Sequence, residues 1–170
     1  DGFQLFSIAD INNPSGCEGY GDFTDQIANL APGNTYPLTI TTGYGNQYVS
    51  LWIDFNADNN FTNDEKLVDN FVIAPNQVQG TYTETIDITI PESSSTGNFR
   101  MRAKSSWNEP VPDDHCSPSD YGETEDYTAS IQTLSTPDYL LNNNAKLNVL
   151  DKGEKQFEVV LNTTYEDPLY

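Results

Sequence analysis

Apolar and polar residues alternate with a period of two along much of the chain. In Thr83-Glu84-Thr85-Ile86-Asp87-Ile88-Thr89-Ile90 the isoleucines fall on one face, with Thr and Asp on the other. That is the mark of a strand with one buried side. The same reading predicts strands over 3–8, 36–42, 47–54, 66–73, 82–90, 98–104 and 126–132. Turn signals separate them: Asn12-Asn13-Pro14-Ser15-Gly16, Pro32-Gly33-Asn34, and Pro91-Glu92 ahead of three serines. No segment keeps a helical period over three turns. Short strands joined by long turns predict an all-β fold, an antiparallel β-sandwich or jelly roll. Trp52 and Phe55 read as packing residues within it.

The pattern changes after Gln132. Residues 133–144 contain Ser135-Thr136-Pro137 and the run Asn142-Asn143-Asn144, the composition of a linker. Beyond it, 145–150 and 155–161 predict two strands around Asp151-Lys152-Gly153, a hairpin signal. The expected organisation is a β-sandwich over 1–132, a linker over 133–144 and a partial β-rich segment over 145–170. Two strands rarely stand alone, so the segment either docks on the sandwich or opens a further domain. The start at Asp1-Gly2-Phe3 and a lone Met101 read as a piece processed or excised from a longer chain.

Charge narrows the partners. Seven Lys and Arg against 26 Asp and Glu give a formal charge of −19, which disfavours nucleic acid and anionic membrane surfaces. No apolar run approaches the length of a membrane span.

One loop carries specific chemistry. Asp54, Asn56, Asp58 and Asn60 occupy every second position, and Glu65 follows Asp54 at the spacing of position 12 in a 12-residue calcium loop. Such a loop uses side-chain oxygens at positions 1, 3 and 5, a backbone carbonyl at 7 and a carboxylate at 12, because calcium is a hard cation that takes six to eight oxygens. Position 6, ordinarily Gly, is Asn59, a residue that tolerates left-handed backbone. The expected cofactor is Ca2+. The competing reading is a polar turn rich in Asn and Asp. No helical pattern flanks the loop, so it joins two strands and stiffens the domain.

A second acidic stretch runs from Trp107 to Tyr127. No Lys or Arg occurs between Ser105 and Ala145, while Asp113, Asp114, Glu123, Glu125 and Asp126 accumulate. These five could form a second metal site. Alternatively, Arg100 and Arg102, which share one strand face, pair with Glu125 or Asp126. Cys17 and Cys116 lie in Gly-, Pro- and Ser-rich loops and read as a disulfide worth ~3–5 kcal/mol on the chain-entropy model; two unpaired thiols are the alternative. Zinc needs more soft ligands than these and the lone His115 supply. Nothing marks a nucleophile, and carboxylates this abundant single out no glycosidase pair. The chain is expected to be non-catalytic.

Three ordered motifs carry a resemblance: Leu51 to Phe61, Phe99-Arg100-Met101-Arg102, and Tyr121-Gly122-Glu123-Thr124-Glu125-Asp126-Tyr127. Together they resemble the GEVED domain, named for Gly-Glu-Val-Glu-Asp, with Thr124 here in the third position. The segment Gly16 to Thr24 is similar to one that precedes the domain in longer members. The resemblance covers about residues 1–132. It implies a β-rich accessory module of a secreted bacterial protein, mostly from Bacteroidetes, often appended to a peptidase. The tail resembles the opening strands of a type IX secretion C-terminal sorting domain, which implies a secreted or cell-surface parent.

An accessory module of this kind holds substrate near a catalytic domain. The resemblance to peptidase companions favours an extracellular protein matrix such as collagen. A polysaccharide is the alternative, as is a structural spacer or adhesin repeat. Tyr44, Tyr48, Trp107 and Tyr121 are the candidate ligand-binding aromatics, set against ordinary sandwich packing.

Overall fold

The computed structural model describes residues 4–16, 19–117, 121–133, 146–151 and 157–162, with backbone alone for 4–5, 146–151 and 157–162. The chain divides into two compact units, Asp1–Thr133 and Leu134–Tyr170. In the first, nine strands form two sheets of a sandwich-like fold: β1 (Gln4–Ile8), β2 (Ile11–Ser15), β3 (Tyr20–Leu30), β4 (Thr35–Tyr44), β5 (Gln47–Ile53), β6 (Lys66–Ile73), β7 (Gln79–Thr89), β8 (Gly97–Trp107) and β9 (Thr124–Ile131). One sheet has the order β2-β1-β4-β7 and the other β3-β9-β8-β5-β6. Pairing is antiparallel except that β3 lies parallel to β9, so the expected antiparallel sandwich carries one parallel pair. The second unit shows an antiparallel pair, β10 (Lys146–Asp151) with β11 (Phe157–Asn162). The expected linker at 133–144 lies outside the described residues except for Thr133.

The alternation read from sequence sets the core. Ile88 and Ile90 are fully buried and Ile86 packs against them, alongside Leu38, Ile40, Leu51, Ile53, Met101 and Ile131. The opposite face of β4 and β7 is polar, and there Thr35–Thr89, Thr39–Thr85 and Thr41–Thr83 join their hydroxyls at 2.8–2.9 Å. Each such cross-strand pair adds about 0.2–1 kcal/mol.

Strands β2 and β3 fall where the sequence pattern predicts no strand. In β2 the inward positions after Ile11 are Asn13 and Ser15, so no apolar alternation announces it. Asn13 is satisfied inside by donating to the Tyr127 hydroxyl at 3.0 Å. Pro14 points outward on this edge strand, where a missing N–H costs no ladder bond.

A smaller cluster of Trp52, Phe61 and Val111 sits apart from the main core, with Tyr48 packed on it. It binds the acidic loops to the sheet. Phe61 faces Trp52, the His115 ring at 5.2 Å and the Arg102 guanidinium at 5.1 Å. Asn70 holds the Val111 backbone, accepting from its N–H at 2.7 Å.

Candidate functional site

Strand β5 delivers Asp54 at the mouth of the first acidic loop. Asp54 is 3% exposed and Glu65 4% exposed, while Asn56, Asp58 and Asn60 lie at the surface. The loop folds its own N–H groups onto its oxygens. Asp54 accepts from the backbone N–H groups of Asp58 at 3.1 Å and Asn59 at 2.9 Å. Asn56 accepts from Asp58, and Asp58 from Asn60, each at 2.8 Å. Ala57 and Asn59 turn the chain with φ of 57° and 64°, so Asn59 takes the left-handed shape expected of position 6.

Glu65 closes the loop from a short 3-10 turn, Asn63–Glu65. One carboxylate oxygen accepts from Asn56 N–H at 3.2 Å, the other from the Thr62 N–H and hydroxyl at 2.9 and 3.0 Å. Among the described residues, no ion pair reaches Asp54 or Glu65; the pairs are Lys66 with Asp69 and Asp113, and Arg100 and Arg102 with Asp126. Two buried carboxylates therefore share a loop of oxygen donors without a protein cation. That donor set has the hard character suited to calcium.

The second acidic stretch is arranged differently. Asp126 is fully buried and takes a two-toothed grip from Arg102, at 2.6 and 2.7 Å, with Arg100 at 3.5 Å and the Tyr20 hydroxyl at 3.1 Å. Hydrogen bonds donated to Asp126 hold Arg102 above its ordinary pKa, against the pull of burial. Glu125 faces the other side of β9 and accepts from the buried Tyr127 hydroxyl at 2.7 Å. Burial, then the Glu125 charge, pushes the Tyr127 phenol far up.

Asp113 reaches Lys66 at 3.0 Å. Burial works against the Lys66 charge, but its bonds to Asp113 and Asp69 outweigh it and raise its pKa. Glu123 accepts from Ser15 Oγ at 3.4 Å. Asp114 caps its own turn, accepting from Cys116 N–H and Ser117 Oγ, each at 2.9 Å. Among the described residues, Asp113, Asp114 and Asp126 thus each have partners of their own.

Asp114, His115 and Cys116 do place a carboxylate, an imidazole and a thiol within 4.8 Å of one another. Buried Lys104 stands beside them, donating to the carbonyls of His115 and Ser117 at 3.3 and 2.6 Å, and its charge opposes a bound cation. Cys116 is an exposed free thiol. Cys17, its expected partner, lies outside the described residues, and so does the proposed bridge.

Three of the four candidate aromatics come together. Trp107 meets Tyr44 at 6.0 Å and Tyr121 at 5.9 Å, both edge to face. Trp107 is 41% and Tyr121 66% exposed, and the Trp107 N–H donates to the Tyr121 carbonyl at 2.7 Å. Tyr48 instead packs on the Trp52 cluster. Val78, 78% exposed, was not singled out from sequence; its carbonyl accepts from Gly45 N–H beside Tyr44.

Fold and surface define an all-β sandwich domain with an acidic inter-strand loop and an exposed aromatic cluster. The family model of the GEVED domain matches residues 48–130, which takes in both acidic stretches, Trp107 and Tyr121. GEVED domains are accessory modules of secreted proteins. The segment Gly16 to Thr24 lies outside the match. No curated protein matches the chain. Among solved structures, a family 123 glycoside hydrolase from Clostridium perfringens, described for glycolipid glycan hydrolysis, is similar at 13% identity with a TM-score of 0.41. The likeness covers 78% of this chain and 28% of that one, so the chain spans little more than a quarter of that protein. Among the described residues, no helix is long and apolar enough to cross a membrane.

Proposed function

We propose that the domain is a calcium-stiffened, non-catalytic accessory module that holds an extracellular polymer for a secreted bacterial hydrolase. The observation that carries this reading is the aromatic cluster. Large rings left in water around Tyr44, Trp107 and Tyr121 add no core stability where they are exposed, and aromatic anchors dominate recognition surfaces. Calcium enters because Asp54 and Glu65 are buried without a protein cation, and unpaired buried charge is costly. The ion would be held by Asp54, Asn56, Asp58, the Asn60 carbonyl and Glu65, fixing the loop beneath Phe61. The resemblance of the tail to a sorting domain supports type IX export of the parent chain.

Co-sedimentation with fibrillar collagen, elastin, chitin and cellulose, with and without chelator, tests the reading. Retention on at least one polymer, lost in Trp107→Ala at unchanged melting temperature, is expected. Retention on none would overturn the polymer-holding role and leave a spacer.

A further inference from the structure

Among the positions proposed to hold calcium, Asn60 and Glu65 are each followed directly by a residue whose side chain leaves the loop. After Asn60 comes Phe61, 7% exposed, whose ring meets the His115 ring at 5.2 Å and the Arg102 guanidinium at 5.1 Å. After Glu65 comes Lys66, whose ammonium lies over the Trp52 ring at 5.3 Å and donates to Asp113 at 3.0 Å. Further along β6, Asn70 clasps the Val111 backbone, accepting from its N–H at 2.7 Å and donating to its carbonyl at 3.5 Å. Asn70 takes left-handed backbone, φ 50°, where the register of β5 with β6 shifts. An irregularity of this kind re-aims a side chain.

Residues 109–117 depend on such ties. They belong to no strand, so no ladder of backbone bonds fixes them. Arg102 and Lys104 of β8 hold one end, taking the His115 carbonyl at 3.4 and 3.3 Å, with Lys104 also on the Ser117 carbonyl at 2.6 Å. Residues 61–70 hold the other, through Val111, Asp113 and the His115 ring.

Resting on the calcium assignment, we infer that an ion in the 54–65 loop controls how firmly residues 109–117 are held, through Phe61 and Lys66. With calcium bound, the Asn60 carbonyl and the Glu65 carboxylate are fixed, and the residues that follow them are fixed in turn. Without it, Asp54 and Glu65 leave two buried carboxylates in one loop with no cation, which favours local opening. An opened loop draws Phe61 away from His115 and Lys66 away from Asp113. The segment then keeps only the grip of β8 at its far end. The 54–65 loop is thus a switch for a stretch of chain that supplies none of its ligands.

Amide exchange followed by NMR on the 170-residue chain, with and without calcium, tests this. Inside the loop the reporters are Asp58 and Asn59, whose N–H groups bond to Asp54. Outside it they are Val111, bonded to Asn70, and Cys116, bonded to Asp114. Calcium is expected to slow exchange at both sets, and at Val111 and Cys116 by at least about fivefold, the low end for coupled sites. In the double variant Phe61→Leu with Lys66→Met, calcium should still slow Asp58 and Asn59, while Val111 and Cys116 no longer respond. Leu keeps apolar bulk against Trp52 without the ring at His115, and Met keeps the stem without the bond to Asp113; melting curves confirm folding. Slowing at Asp58 and Asn59 alone in the unaltered chain would overturn the relay and leave the calcium loop standing. An undiminished response of Val111 and Cys116 in the double variant would overturn the route through Phe61 and Lys66. No response at either set would overturn the calcium assignment and the relay with it.

Discussion

The two acidic stretches solve the same electrostatic problem in opposite ways. Around β9 and the preceding loop, two carboxylates are neutralised by cations of the chain: Asp126 by Arg102 and Arg100, Asp113 by Lys66. In the loop from Asp54 to Glu65, buried carboxylates are met by backbone N–H groups but by no side-chain cation among the described residues. All the basic residues of the first 133 positions lie between 66 and 104 and serve the former region. A carboxylate paired within the fold is insensitive to what the medium supplies; a loop of oxygens without a cation depends on it. The difference teaches where an ion can matter to this fold and where it cannot.

The largest expected effect comes from breaking the Asp126 pairing. Arg102→Met leaves Asp126 buried without its two-toothed partner, and loss of one member of a buried pair costs about 3–5 kcal/mol. Urea unfolding should show that loss, undiminished by calcium. A loss below about 1 kcal/mol would mean that Arg100 and Tyr20 carry Asp126 unaided.

Next comes the other side of the comparison. Calcium at a hundredfold excess over its dissociation constant should add about 2.7 kcal/mol, raising the melting temperature. Asp58→Ala should abolish the rise. An unchanged melt after exhaustive chelation and calcium readdition would remove the ion from the loop.

The smallest effect lies in acid. Hydrogen bonds from the Cys116 N–H and Ser117 hydroxyl, the former larger, hold the Asp114 carboxyl below its ordinary value. A folded-state pKa below the unfolded one stabilises above the unfolded value, near ~4, and is lost as pH falls through the folded value. Asp114→Asn should therefore flatten the fall in stability below about pH 4, read by urea melts across that range. An unchanged slope would show that other carboxylates account for the acid response.

Much of this arrangement was legible in the chain. Strands β4 to β9 follow apolar alternation, and the pairing of Arg100 and Arg102 with one acidic neighbour follows from their shared face. The loop spacing calls for left-handed backbone at position 6, and Asn59 adopts it. Strand β2 was hidden because its inward Asn13 and Ser15 bond to polar groups inside. In β3, Asp22, Thr24, Asp25 and Gln26 break the alternation where its register with β9 shifts. Beside the aromatic cluster, Asn46, Asn76 and Asn108 were not singled out, since they become neighbours only through turns far apart in sequence. Tyr48 went to the smaller cluster because its neighbour Gln47, not Tyr48, shares the register of Trp107.

The parallel pairing of β3 with β9 also has a consequence for the order of assembly. Tyr20 and Asp126, joined across that pair, are 106 residues apart, and Asn13 and Tyr127 are 114 apart. The neighbouring strand for β3 does not exist until nearly the whole sandwich has been synthesised. Closure over so long a separation makes for slow folding. An early segment thus stays without its sheet while the chain is still being made, and the last strand of the sandwich completes both the β8 edge and the place of β3.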